Sequence, residues 1–324
     1  MIRARIEGTG SYVPQRVLTN QELEGIVDTS DDWITTRTGI RERRIADKDT
    51  TSGIATKAAK MALKDASVSP NEIDLIIVAT VTPDMFFPST ACFVQSNLGI
   101  KKGVPAFDIS AACSGFLYAL DIADKYVRSG ASKKVLVIGV DLFSRIIDWK
   151  DRNTCVLFGD GAGAVVLSAK KGKRGILSTH IHSDGDYWKI LYAPSGISQK
   201  QSAKGSIEHP YLKMQGNETF KAAVRTMGKA CMEALRYNGA SAEDIALLIP
   251  HQANQRIIKA IQERLGLPED KIYTNLERYG NTSAGSIPLA LDEAARNGRL
   301  RRNDLILFVA FGGGLTWASA LVRW

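Results

Sequence analysis

The chain has 324 residues, of which 44 % are hydrophobic, 23 % charged and 7 % aromatic, and it carries a formal net charge of +8. This is the composition of a folded globular protein with room for one extended core or two ordinary domains, and it argues against disorder. No stretch reaches the roughly 20 consecutive apolar residues of a membrane helix, and the cysteines Cys92, Cys113, Cys155 and Cys231 are too widely spaced for a CxxC site or a disulfide framework.

The first segment, MIRARIEGTGSYVP, alternates charged and apolar residues as a strand does. It lacks the apolar core of a secretory signal, so a cytoplasmic protein with no membrane partner is expected. The basic run TRTGIRERR at 36–44, like KKGKR at 170–174 and RNGRLRR at 296–302, reads as solvated surface or as a face for an acidic or phosphorylated partner. No nucleic-acid reader motif accompanies these runs, and nucleic acid is not expected as a partner.

From residue 58 onward the chain repeats itself. AAKMALKDASVSPNEIDLIIV (58–78) and ACMEALRYNGASAEDIALLIP (230–250) pair Ala58 with Ala230, Leu63 with Leu235, Ile73 with Ile245 and Ile77 with Ile249 at a displacement of 172. Each copy predicts an amphipathic helix, a polar turn and a short apolar strand. Ala119-Leu120-Asp121 and Ala290-Leu291-Asp292 continue the match, followed in each half by an apolar strand, a glycine cluster and a last strand. Strands alternating with helices predict parallel sheets covered by helices. Two halves, 1–170 and 171–324, would stack into a five-layered α/β/α/β/α body. Ligands in such sheets bind beyond the carboxyl ends of the strands.

The halves differ where chemistry would be done. In the front half, VPAFDIS (104–110) leads through Ala111-Ala112 into Cys113 and a helix ending near Gly130. The rear counterpart lies near Ala284-Gly285, so one copy keeps a thiol and the other does not. A helix N-terminus favours thiolate by about 0.3–2 kcal/mol, which draws a thiol pKa of about 8.5 toward about 7. His251 ends the rear strand IALLIP, a position suited to function, whereas His180 and His182 have no third ligand for a metal and His209 reads as loop. Asn281 stands at the entrance to the second such helix, where capping alone would explain it. GDGAGAVV (159–166) leads into a strand rather than a helix and therefore reads as tight packing, not a nucleotide loop. The glycines of FGGGLTWASALV (311–322) would let backbone N–H groups approach a reacting carbonyl.

Taken together, these residues resemble the thiolase-like condensing enzymes, and within them the β-ketoacyl-acyl-carrier-protein synthase III family. The resemblance is carried end to end by DTSDDWITTRTGIRERR (28–44), DISAACSGF (108–116), FGDGAGAVVL (158–167), PHQANQRI (250–257), NLERYGNTSAGSIPLAL (275–291) and AFGGGLTWASALVRW (310–324). It implies a duplicated thiolase-like fold and a Cys113–His251–Asn281 site that joins a short acyl-CoA to malonyl-acyl carrier protein, releasing CO2 and CoA. The backbone N–H groups of Cys113 and Gly313 would form the oxyanion hole. It further implies coenzyme A contacts at Trp33, Arg37, Thr38, Arg152, Asn217 and Asn254. Gln252, Ala253, Asn254, Gln255, Arg256 and Lys221 would meet the acidic carrier protein. Phe87, reaching from a partner subunit of a homodimer, and Phe158 would line the acyl pocket. No cofactor or metal is implied, the coenzyme A thioester being a substrate. A related synthase using a longer or branched primer, or making a specialised polyketide, is the near alternative. Cysteine hydrolases can share Cys, His and Asn in this order, but the setting of Cys113 differs from theirs.

Overall fold

A computed structural model describes residues 1–101, 103–194 and 211–324; His209 lies outside the described residues. Two sheets form the frame. The front sheet has five strands in the order Ile2–Tyr12, Asp160–Lys171, Lys134–Leu142, Leu75–Ala79 and Ala106–Ile109. The rear sheet has four, in the order Leu247–Pro250, Leu305–Gly312, Thr316–Arg323 and Gly175–Ser183.

The two copies read in the sequence fold alike. Thr50 caps the helix Thr51–Asp65 by accepting from Gly53 N–H, and the chain continues into the buried strand Leu75–Ala79. The second copy gives the helix Gly216–Tyr237 and the strand Leu247–Pro250. The sheets are mixed rather than wholly parallel, which corrects the expectation. Leu75–Ala79 is parallel to both its neighbours, and Leu247–Pro250 to Leu305–Gly312, while Asp160–Lys171, Thr316–Arg323 and Gly175–Ser183 run antiparallel to theirs. Strands joined through helices can run parallel, but the short Gly313–Leu315 link between the last two strands permits only a hairpin.

Helices Gly115–Ser129 and Ser286–Arg296 lie between the sheets and contact both, and the remaining long helices cover the outer faces. The result is the five-layered α/β/α/β/α body. The central layer is dry: Phe116, Leu117, Leu120, Ile287 and Leu291 belong to one buried cluster with strands of both sheets. Each such side chain contributes about 1.5–3 kcal/mol on burial. Because both central helices begin at the same edge of this layer, their N-terminal turns face one another, and the site forms there.

Candidate active site

The front turn is strained and clamped. Ala112 has a left-handed φ of 46°, after which a 3-10 turn, Ala112–Ser114, leads into the helix at Gly115. The last strand of the rear sheet holds this turn: Thr316 Oγ1 donates to Ala111 O at 2.9 Å, and Ser114 Oγ donates to Thr316 O at 3.2 Å. Cys113 is thus fixed at the strand-to-helix junction, 6 % exposed. Burial pushes its thiol up to about 12, with a neighbouring Ser283 hydroxyl opposing the shift and the Asp141 charge adding to it. Burial thus outweighs the helix N-terminus, which by itself is expected to draw the thiol toward about 7 at best. A helix N-terminus offers about 2 kcal/mol at most, less than the desolvation of a wholly buried thiolate.

His251 follows Leu247–Pro250, its N–H donating to Val309 O at 2.8 Å. It is 2 % exposed, and burial lowers its pKa to about 3, so the ring is neutral. Nδ1 lies 2.7 Å from Ser286 Oγ, and that hydroxyl oxygen also receives Gln252 N–H at 3.5 Å. A Ser286 hydroxyl that donates to Nδ1 leaves the ring proton on Nε2, whichever other bond its oxygen accepts.

Asn281 is pinned by its backbone, its N–H donating to Leu157 O at 2.9 Å and its C=O accepting from Gly159 N–H at 3.1 Å. Its Oδ1 accepts from Ser283 N–H at 2.9 Å. The carboxamide oxygen thus closes a tight turn onto the backbone two residues on rather than capping the helix, and the same bond leaves the Nδ2 donors unspent. Cys113, His251 and Asn281 line one cavity of about 500 Å³, with Phe158, Gly313 and Asn254 also in its wall. Phe158 stacks on Phe143 at 4.7 Å between centroids.

The other expected contacts divide. Trp33 carries guanidinium groups from both Arg152, at 4.8 Å, and Arg37, at 4.9 Å from its ring centre. Arg152 also donates to Asp28 O at 2.7 Å, so a nucleobase could enter between it and Trp33 only after the guanidinium swings away. Asn254 caps the helix Gln255–Leu265 and donates to Arg37 O at 3.2 Å, joining the arginine helix to the cavity rim. Ala253 lines the cavity, Gln255 and Arg256 are exposed, Arg256 lies over Phe220 at 5.3 Å, and Lys221 pairs with Glu218 at 3.0 Å.

Other expected residues are engaged or placed as follows. The Thr38 hydroxyl is buried, donating to Ile34 O and accepting from Ile40 N–H. Gln252 is 1 % exposed, its amide engaged with Pro250 O, Tyr273 O and Asn275 N–H rather than with a docking surface. Asn217 is exposed beside Gly216 and Thr219, which line the cavity. Arg43, read as part of a surface run, is fully buried and donates to Leu18 O, Asn20 Oδ1 and Val156 O. Phe87, at 83 % exposure, is not part of this chain's own cavity wall. His182 and His180 pair with Glu233, and among the described residues no group of His, Cys, Asp or Glu could hold a metal.

Sequence reasoning missed Ser286 and Asp141. Ser286 is a lone polar side chain on the first turn of an apolar helix. Asp141 is a charge at the end of an apolar strand and wholly buried. A polar residue interrupting an apolar run was the available signal in both cases.

Comparison with known proteins places this geometry. The family description 3-oxoacyl-[acyl-carrier-protein] synthase III matches residues 107–185, and its C-terminal counterpart matches 235–324. A β-ketoacyl-[acyl-carrier-protein] synthase III of Caldanaerobacter subterraneus is 55 % identical, the alignment spanning 100 % of this chain and 98 % of the relative. The crystal structure of the Aquifex aeolicus synthase III superposes with a TM-score of 0.93 at 54 % identity, covering 99 % of this chain and 100 % of that one. The priming β-ketosynthase of the R1128 polyketide pathway also superposes, with a TM-score of 0.93 at 38 % identity over 99 % of this chain and 96 % of its own. With its elbow cysteine, neutral histidine and turn-held asparagine on one cavity, and with this likeness from end to end, the chain belongs to the β-ketoacyl-acyl-carrier-protein synthase III family.

Proposed function

We propose that this protein catalyses the decarboxylative condensation of a short acyl-CoA, acetyl-CoA foremost, with malonyl-acyl carrier protein, giving 3-oxoacyl-acyl carrier protein, CO2 and free CoA and so initiating fatty acid synthesis. One observation carries the reading: a thiol from the front repeat shares a cavity with an imidazole and a carboxamide from the rear, each oriented by bonds on its far side. Cys113 takes the acyl group. The backbone N–H groups of Cys113 and Gly313 receive the oxyanion as the thioester is attacked. Burial holds the Cys113 thiol up, so its S–H bond breaks as the new C–S bond forms, and the proton leaves with coenzyme A as its free thiol when the thioester C–S bond breaks.

The second half-reaction develops enolate charge on the malonyl thioester oxygen. His251 Nε2–H and Asn281 Nδ2–H are neutral donors in a buried site, suited to that charge without any change of protonation. Coenzyme A enters along Asn254, with Trp33, Arg37 and Arg152 at the adenine end. The exposed Arg256 and Lys221 greet the acidic carrier protein. No metal or cofactor is needed. The halves 1–170 and 171–324 act as one unit, in the cytoplasm, as a homodimer. The open edge of Ala106–Ile109, beside exposed Phe86 and Phe87, supports a second copy there.

A polyketide or branched-chain primer is the second reading, favoured by the likeness to the R1128 priming enzyme. Incubation with radiolabelled acetyl-CoA is expected to leave one acetyl group on the Cys113 peptide. Free CoA should leave in that step, and adding malonyl carrier protein should then release CO2 and move the label onto 3-oxoacyl carrier protein. Release of acetate with no CO2 would instead mark a hydrolase, and a branched primer outcompeting acetyl-CoA would select the second reading.

A further inference from the structure

Each half of the molecule presses one strand against the other half's turn. A Cβ on Gly312 would stand 2.7 Å from Cys113 N, and a Cβ on Gly139 would stand 2.1 Å from Ala284 O. The turns themselves correspond: Ala112 and Ser283 have left-handed φ values of 46° and 50°, and each opens a 3-10 turn that feeds a central helix. Beyond these two glycines the halves part. After Gly312 come Gly313 and Gly314, which line the cavity. Two residues after Gly139 comes Asp141, fully buried.

The Asp141 carboxylate is surrounded by donors. Oδ1 accepts from Val81 N–H at 2.8 Å, Thr82 N–H at 3.2 Å, Thr80 Oγ1 at 3.1 Å and Thr82 Oγ1 at 2.9 Å. Oδ2 accepts from Ala284 N–H at 3.3 Å. By the displacement of 171 that relates the turns, Ala284 is the counterpart of Cys113. A carboxylate thus occupies, in the rear repeat, the place that the cavity takes beside Cys113 in the front. Backbone N–H groups converging at such a turn form an acceptor site, and here the protein fills it with its own carboxyl group, whose pKa burial raises while these hydrogen bonds oppose the shift.

We infer that Asp141 is a positioning residue for the condensation: it plugs the rear counterpart of the catalytic cavity and ties the turn that carries Asn281 to the cavity wall at Val81. The inference rests on the function proposed above. It follows from the order of bonds along the turn. Ser283 N–H holds the Asn281 carboxamide and the next N–H, of Ala284, is held by Asp141. Loosening the second bond frees the first, and Asn281 loses the orientation in which Nδ2 can serve an enolate.

The test is Asp141→Asn in the full chain, with the half-reactions measured separately. The new amide can keep its oxygen among the donors of Thr80 to Thr82, which turns its NH2 toward Ala284 N–H, donor against donor. Malonyl-thioester decarboxylation is expected to lose at least about tenfold in kcat with KM nearly unchanged, while acyl transfer to Cys113 stays within about threefold of wild type. The pH profile of Cys113 alkylation by iodoacetamide should move to lower pH, because a nearby negative charge is gone. Wild-type behaviour in both half-reactions, or equal loss in both, overturns the positioning role. If Asp141→Asn does not reach the native fold, Thr82→Val removes one donor from Oδ1 and is expected to give the same pattern at about threefold, and an equal loss in both half-reactions again overturns it. Absence of acylation and decarboxylation in the wild-type protein would sink the functional reading itself, a distinct result.

Discussion

Three side chains at the cavity do little alone, and each is made useful by what holds its far side. Asn281 keeps its oxygen on Ser283 N–H and so turns its NH2 outward. Replacing Asn281 with Ala is expected to slow malonyl decarboxylation by about 10²–10³ while sparing acylation of Cys113; radiolabel transfer and CO2 release, followed side by side, measure the two steps. Ser286 acts through His251. Without its hydroxyl at 2.7 Å from Nδ1 the ring is free to place its proton on either nitrogen. Ser286→Ala should lower kcat for condensation by about tenfold with little change in KM for acyl-CoA, as read by steady-state kinetics. His251 also links stability to pH. Its folded pKa is lowered to about 3 by burial, whereas an unfolded histidine has a value of about 6.5. The unfolded chain therefore binds the extra proton below about 6.5, so this contribution is full above that pH and fades by up to about 1.4 kcal/mol per unit as pH falls toward about 3. Chemical denaturation of wild type and His251→Gln across that range should give a shallower acid decline for the variant.

At the scale of an element, the two strained turns decide where the chemistry is. A strand that ends against a helix start leaves space only for glycine, and Gly312 meets that condition with 2.7 Å from a built Cβ to Cys113 N. Gly312→Ala must push the thiol turn or the hairpin aside, since the facing atoms are backbone. The expected result is loss of Cys113 acylation by about 10²-fold or more, with folding otherwise retained because Leu305–Gly312 stays paired on both sides. Mass spectrometry of the acylated protein beside its circular dichroism checks both halves of that statement. The sequence made these turns visible through composition. Apolar strand, small residues, then a helical period marks a strand-to-helix junction whether or not a cysteine is in it. The thiol's ionisation was not visible, because helix direction can be read from local pattern whereas burial depends on the other half of the molecule.

Across the whole chain, what was legible followed from repetition. The displacement near 172 gave the paired helices and strands, the two sheets and the layers between them, since each copy repeats its own apolar period. The antiparallel strands were not anticipated, because period 2 and period 3.6 say nothing about direction. Residues whose roles depend on a single partner far along the chain were also hidden: Arg43 meets Val156 O, and Asp141 meets Ala284 N–H, only after the halves close. Charge at the surface was legible as composition but not as placement. The net charge is +8, and exposed Arg256 stands at the start of the helix that Asn254 caps, beside the cavity. A carrier protein of opposite sign would be drawn to that rim over a distance comparable to the Debye length, about 10 Å at 0.1 M salt. Coenzyme A thioesters are small and bind through contacts inside the screening length. Raising salt from about 0.05 to about 0.5 M should therefore lower kcat/KM for malonyl carrier protein several-fold while changing acylation by acetyl-CoA much less. Arg256→Glu should remove most of that salt dependence. Equal sensitivity of the two substrates, or an unchanged slope in Arg256→Glu, would move the docking surface away from this rim.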